Sequence, residues 1–186
     1  MKTVIFAALA AAAVSAPAFA QDAAPFTGPR AGVTLGYDKL GGEDGFAYGV
    51  STGYDLAVAP RITFGPEVSL NDTTVGAGGT EISRDLAASV RLGYVVTPRI
   101  LAFGKVGYAN TRIEVSNSNA GGSFEGVRYG GGAEFAVTGN TYISAEYQRS
   151  EYEDGIGGRD AGVVGIGVPV LFPSGRTMEK RSPPRP

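Results

Sequence analysis

The chain has 186 residues, with 29 glycines, no cysteine, no histidine, no tryptophan and a formal net charge of −2. That length suits one domain, the missing cysteine excludes a disulfide framework, and without Cys or His there is no zinc cluster. The missing histidine also removes the imidazole base of Ser-His hydrolases and His-assisted acyl transferases, and no basic stripe invites nucleic acid.

Residues 1–20 hold Lys2, an apolar run from Val4 to Val14, and Ala18-Phe19-Ala20 ahead of Gln21-Asp22. These are the charged, hydrophobic and A-x-A parts of a secretory signal, expected to be cleaved on export. The run stops at Pro17, too short for a membrane anchor. Beyond residue 20 no apolar stretch reaches the roughly 18 residues of a transmembrane helix. A membrane role therefore has to be played by strands.

Residues 21–29 form a short Pro- and Gly-containing lead without periodicity, and the barrel domain is expected over 30–170. In the first strand, Arg30 to Asp38, Ala31, Val33, Leu35 and Tyr37 share one parity, and Arg30, Gly32, Thr34, Gly36 and Asp38 the other. Side chains of one parity emerge on one face. Phe46 to Leu56 sets Phe46, Tyr48, Val50, Thr52, Tyr54 and Leu56 against Ala47, Gly49, Ser51, Gly53 and Asp55. Arg61 to Leu70 sets Ile62, Phe64, Val68 and Leu70 against Thr63, Gly65, Glu67 and Ser69. Pro66 removes a ladder donor in a sheet that has no edge, so a bulge is expected there.

A Gly- and Thr-rich loop leads to the fourth strand, Ile82 to Val95, and a turn containing Pro98 leads into the fifth, which runs to about Arg112. In this hairpin Val90, Leu92 and Tyr94 oppose Ser89, Arg91 and Gly93. Ile100, Ala102, Val106 and Tyr108 oppose Lys105 and Gly107, with Phe103 a lapse on the polar side. Residues 53–68 repeat 93–106 in their Gly-Tyr start, their Val-x-Pro-Arg-Ile turn and a charge six residues after the arginine, Glu67 and Lys105 respectively. Six is even, so each charge is expected on its arginine's face. The sixth strand sets Val127, Tyr129, Ala133, Phe135 and Val137 against Arg128, Gly130, Gly132 and Glu134. Gly139-Asn140 marks a tight turn. The seventh, Thr141 to Tyr152, sets Ile143, Ala145 and Tyr147 against Ser144, Glu146 and Gln148. The eighth, Ala161 to about Val170, sets Val164, Ile166 and Val168 against Gly165 and Gly167.

The polar parity decides which face is inside. A solvated face would be rich in Lys, Glu, Thr and Gln, whereas this one is crowded with glycine, a poor strand former. Gly, Ala and Ser with occasional charges suit the cramped interior of eight strands, which turns the aromatic and aliphatic face toward lipid. The fold expected is all-β, an eight-stranded antiparallel up-and-down transmembrane barrel. Its strands would be about the 9–11 residues that a tilted span requires. Short turns near 57–60, 96–98 and 139–140 would be periplasmic and the longer loops outside. Two interfacial aromatic belts follow: Tyr37, Phe46, Tyr108 and Tyr129 toward the outer end, and Tyr54, Phe64, Tyr94, Phe135 and Tyr142 toward the inner.

The signal peptide, the GxxxGY segments at Gly32 and Gly49, the Gly-Tyr pairs and the AGVVGIGV ending resemble the small eight-stranded outer-membrane barrels grouped as OmpA-like or porin family in Gram-negative bacteria. The resemblance covers about residues 28–170. It implies residence in the cell outer membrane, contact with outer-membrane lipids and lipopolysaccharide, insertion by the barrel-assembly machinery, and a monomer. Such proteins commonly end in a strand closing on Phe. This chain instead continues into PVLFPSGRTMEKRSPPRP, whose basic, Pro-rich residues 171–186 are expected to be disordered. A read-through or frame artefact is favoured over a basic arm on phosphates.

The inward parity carries Glu67, Arg91, Lys105, Arg128, Glu134 and Glu146, three acids and three bases. Buried charges persist only when paired or hydrated, so an ion-pair network across the lumen is expected. A static plug is favoured over a gate because eight strands normally leave a filled interior. The loops lean acidic, with Asp38, Glu43, Asp44, Asp72, Glu81, Glu114, Glu125, Glu151, Glu153, Asp154 and Asp160 against Lys39, Arg112, Arg149 and Arg159; Arg30, Arg61 and Arg99 mark the other end. Solvated charge is the common reason for such a rim, and divalent cations among lipopolysaccharide phosphates are the functional one. No cofactor, metal site or catalytic set is expected. The leading function is an outer-membrane barrel with a structural or surface-interaction role. A narrow channel for ions or small solutes comes second, and a soluble lipocalin-like periplasmic carrier third.

Overall fold

The computed structural model describes residues 26–40, 43–74, 76–77, 80–115, 121–138, 141–152 and 158–170. The lengthwise strands are β1 (Gly28–Leu40), β2 (Glu43–Ala59), β3 (Ile62–Thr73), β5 (Thr80–Thr97), β6 (Ile100–Val115), β7 (Gly121–Thr138), β8 (Thr141–Tyr152) and β9 (Gly158–Pro169); β4 (Gly76–Ala77) is a two-residue flap on β5. Each long strand pairs antiparallel with its sequence neighbour. The first and last close the ring from Arg30↔Pro169 to Leu40↔Arg159, so the sheet is an up-and-down barrel of eight strands without an edge. Closure matters because hydrocarbon offers no hydrogen-bond partner to a free backbone group. Among the described residues no helix is long and apolar enough to cross a membrane.

Alternation sorts the side chains as the physical argument requires. Leu35, Val50, Leu92 and Ile143 are 52%, 50%, 57% and 49% exposed on the outer wall, whereas Glu67, Arg91 and Lys105 are 5%, 1% and 8% exposed inside. The strands are longer than a bilayer span demands, at 12 to 18 residues. The apolar outward stretch is shorter than the strands: on β7 it runs from Val127 to Val137, and the pairing continues toward the loops beyond it. Backbone pairing does not stop where the lipid does.

Pro66 carries no bulge. The β2–β3 register keeps the same offset on both sides of it, from Gly53↔Glu67 to Leu56↔Phe64, and Pro66 stands opposite Val90 on β5. The two backbones approach so closely here that a Cβ on Gly65 would strike the Tyr54 carbonyl oxygen. The ladder to β2 lapses opposite Gly65 and Pro66 and resumes at the same offset at Leu56↔Phe64. Register shifts sit elsewhere, three at the short turns, between Ala57 and Ala59, Val95 and Thr97, and Ala136 and Thr138, and one toward the loop end, between Ile82 and Arg84, as is common at barrel rims. Arg61, with φ 64, takes the left-handed position of the first turn. Arg61 and Arg99 are therefore exposed turn residues, and counting parity across them to Glu67 and Lys105 does not hold: the turn resets the alternation.

The aromatics flank the apolar wall. At the turn end Phe64, Tyr94 and Phe135 face outward. At the loop end outward tyrosines donate hydrogen bonds to carboxylates at the polar boundary: Tyr48 to Asp72 (2.9 Å), Tyr108 to Glu125 (3.3 Å), Tyr129 to Glu151 (2.9 Å) and Tyr147 to Asp160. Tyr142 does not join a belt. It shares the parity of Ser144 and Glu146, is 9% exposed in the lumen, and fits because Gly32 and Gly167 present no Cβ to its ring. Placing an arginine on the outer wall near mid-height tests the sidedness. Val50→Arg and Val90→Arg should each cost about 2–4 kcal/mol in urea-monitored folding into lipid vesicles, whereas arginine at exposed Lys39 should be nearly neutral.

Candidate functional site

The lumen is where the chemistry lies, and all eight long strands contribute to it. The six residues expected there, Glu67, Arg91, Lys105, Arg128, Glu134 and Glu146, point inward, and no side chain among them is more than 10% exposed. They do not form one network. Among the described residues five further buried charges join them, Arg30, Asp38, Asp55, Asp85 and Arg159, and the set divides into two layers.

The layer nearer the turns is built on Glu67, which accepts from Arg30 Nη2 at 2.7 Å and from Lys105 Nζ at 2.8 Å. Arg30 Nε also donates to Asp55 Oδ2 at 2.7 Å, and Lys105 Nζ lies 2.5 Å from Glu146 Oε1. Arg91 Nη1 donates to Glu134 at 2.7 Å, stands 3.9 Å from Asp55, and lays its guanidinium 4.0 Å over the Phe103 ring. Phe103, a lapse in the alternation, thus serves as a cation–π platform inside. Three cations meet four carboxylates, and most contacts join strands that are not neighbours in the sheet, such as β3 with β6 and β5 with β7.

The layer nearer the loops is centred on Asp85. It accepts from Arg128 Nη2 at 2.6 Å, from Arg159 Nη1 at 3.1 Å and from Thr111 at 3.1 Å. Arg128 Nε donates to Ser150 at 2.8 Å, and Arg159 grips both oxygens of Asp38, Nε reaching Oδ1 at 2.9 Å. Asp38 and Arg159 belong to the first and last strands, so this bidentate pair stitches the closing seam. Between the layers, Thr34, Asn71 and Gln148 line two cavities of about 20 Å³ each. Each has room for about one water molecule.

Several placements differ from the sequence expectation. Arg30 is a lumen residue rather than a turn-end surface charge, and Asp38 and Arg159 are buried rather than exposed in loops. Arg30 and Asp38 end the alternation read for the first strand, which runs past both, and the last strand begins before Ala161, so all three lie within the wall. Their parity was the available signal: Arg30 and Asp38 share a face with Gly32 and Thr34, and Asp85 with Ala87 and Arg91. Asp72, Glu125, Glu151 and Asp160 do belong to the loop-end rim, where Arg149 bridges Glu151 at 3.3 Å and Asp160 at 3.4 Å. The side chains of Glu43, Glu81, Arg112 and Glu114, and residues Glu153 and Asp154, lie outside the described residues, as do residues 1–25 and the tail 171–186. Among the described residues no group of three acids is arranged to hold a metal ion.

The sequence pattern described as the outer membrane protein beta-barrel domain matches residues 6–172. The chain belongs to that family. Among solved structures it is similar to Ail, the attachment invasion locus protein of Yersinia pestis, with 13% identity, TM-score 0.56, and coverage of 76% of this chain and 94% of that one. It is also similar to Neisserial surface protein A, with 15% identity, TM-score 0.54 and coverage of 76% and 96%. The N-terminal barrel of Pseudomonas aeruginosa OprF follows, with 16% identity, TM-score 0.50 and coverage of 76% and 98%. No curated protein matches the sequence. These likenesses extend to the fold, and membership of the family puts this outer-membrane barrel in the bilayer that its outer wall suits.

Within the layer nearer the turns, single charge removals carry unequal costs. Glu134→Gln leaves Arg91 with no carboxylate nearer than Asp55 at 3.9 Å, and stranding a buried charge costs about 3–5 kcal/mol. Glu146→Gln leaves Lys105 on Glu67 at 2.8 Å and should cost about 1 kcal/mol. Urea titration of the two variants folded in the same vesicles reads the difference.

Proposed function

We propose that this integral outer-membrane barrel acts through structure or surface contact, with a lumen that its own charges keep closed. The observation that carries the reading is the filling of the interior: among the described residues, eleven charged side chains from eight strands, buried and paired, with water-sized cavities between them. A pore needs a connected column of water, and such fixed pairs replace the hydration that a passing ion would need. The turn end faces the periplasm and the loop end the outside. The apolar wall meets outer-membrane lipids, and the tyrosine–carboxylate rim sits at the level of the lipopolysaccharide headgroups. The chain is inserted by the barrel-assembly machinery and works as a monomer. A role at the surface fits the names of two structural neighbours, an attachment invasion locus protein and a surface protein. The channel reading rests on the same charges acting as a gate, and the carrier reading needs an apolar interior, the reverse of the sidedness described above.

Fractionation should place the protein in the detergent-requiring outer-membrane pool, and the unboiled sample should run at a different gel position from the boiled one. Purified barrel in a planar bilayer should give no stable conductance steps. Steps that appear, and that change in Lys105→Ala, would hand the function to the channel reading.

A further inference from the structure

The lumen has a third layer, made of carbon. Phe26, 6% exposed, sits in the turn-end mouth against Ala57, Val95, Leu101 and Phe103, with Ala136 beside it. Phe26 precedes β1 in sequence, and the chain reaches the mouth by turning inward at Gly28, whose φ of 99 favours glycine. One residue later the chain is already locked in the wall, with Pro29 opposite Tyr54 and its carbonyl accepting from Val170 N–H at 2.7 Å. Among the described residues of this lead, the group inside the mouth is the Phe26 ring, set two residues ahead of Gly28. Just past it, Asp55 Oδ1, Thr63 Oγ1, and Arg91 Nε and Nη2 are buried without a hydrogen-bond partner. The space beneath Phe26, reaching Arg30, Asp55, Glu134 and Tyr142, is about 10 Å³, room for at most about one water molecule.

We propose that Phe26, just ahead of β1, is a cork: its ring seals the turn-end mouth and isolates the inner ion-pair layer from bulk water on that side. The seal itself follows from the barrel's geometry, and only its assignment to the periplasmic side rests on the function proposed above. Without Phe26 the remaining carbon layer is a ring of wall residues around an open centre, and solvent reaches the unpartnered atoms of Arg91 and Asp55. With it, the charges keep the low-dielectric surroundings that make their pairing strong.

The chain has neither tryptophan nor cysteine, so single reporters read the cork without background. In full-length Phe26→Trp the folded barrel should give blue-shifted emission and resist an aqueous quencher, both lost on boiling. In Ala57→Cys a charged thiol reagent should react slowly, and adding Phe26→Ala should speed it roughly tenfold or more, while Phe26→Leu keeps most of the protection. Quenching of the folded Trp variant at the rate of free indole overturns the cork, and so does a thiol reaction rate in Ala57→Cys that is indifferent to residue 26. If Phe26→Ala fails to fold, the Trp variant alone decides. Heat-modifiable mobility, checked on every sample, separates a failed cork in an intact barrel from failure of the barrel itself.

Discussion

A closed ring of eight strands with hydrocarbon against its outer wall has one place for polar side chains, and that place is narrow. The interior must be filled, every charge in it must find a partner, and the fillers must come from all around the ring. Arg30 and Asp38, Asp55, Glu67, Asp85 and Arg91, Lys105, Arg128 and Glu134, Glu146, and Arg159 meet that demand strand by strand. The pairs cross the lumen more often than they follow the sheet, so they brace the barrel as spokes brace a rim. Buried pairs of this kind are weak evidence of net stability, because desolvation consumes much of the Coulombic gain. Their value here is geometric: with one partner shifted, the rest of the layer is left uncompensated.

Glycine works with the charges. Tyr142 turns inward because Gly32 and Gly167 leave room for its ring, and the Tyr54 carbonyl approaches Gly65 more closely than any Cβ would allow. Large inward groups at some levels thus demand glycines at others. The lumen is layered from carbon at the turns, through an ionic layer, a thin polar zone with room for single waters, and a second ionic layer toward the loops.

The outer wall follows simpler physics. Aliphatic side chains cover its middle, tyrosines hold carboxylates where lipid gives way to water, and the strands run on toward the loops beyond the lipid.

The strand count, the sidedness and six of the eleven lumen charges were legible in the residues alone, because a period of two is a local property and glycine on a strand face has few other uses. Arg30, Asp38, Asp55, Asp85 and Arg159 were equally visible as residues but not as one site. Which charge meets which depends on register around a closed ring, and Arg159 reaches Asp38 only because the last strand returns to the first. Three-dimensional packing also decided that Phe103 is a platform, that Tyr142 faces in, and that Phe26 in an unpatterned lead enters the mouth. Alternation tells a side chain which face it takes, whereas only closure tells it what stands opposite.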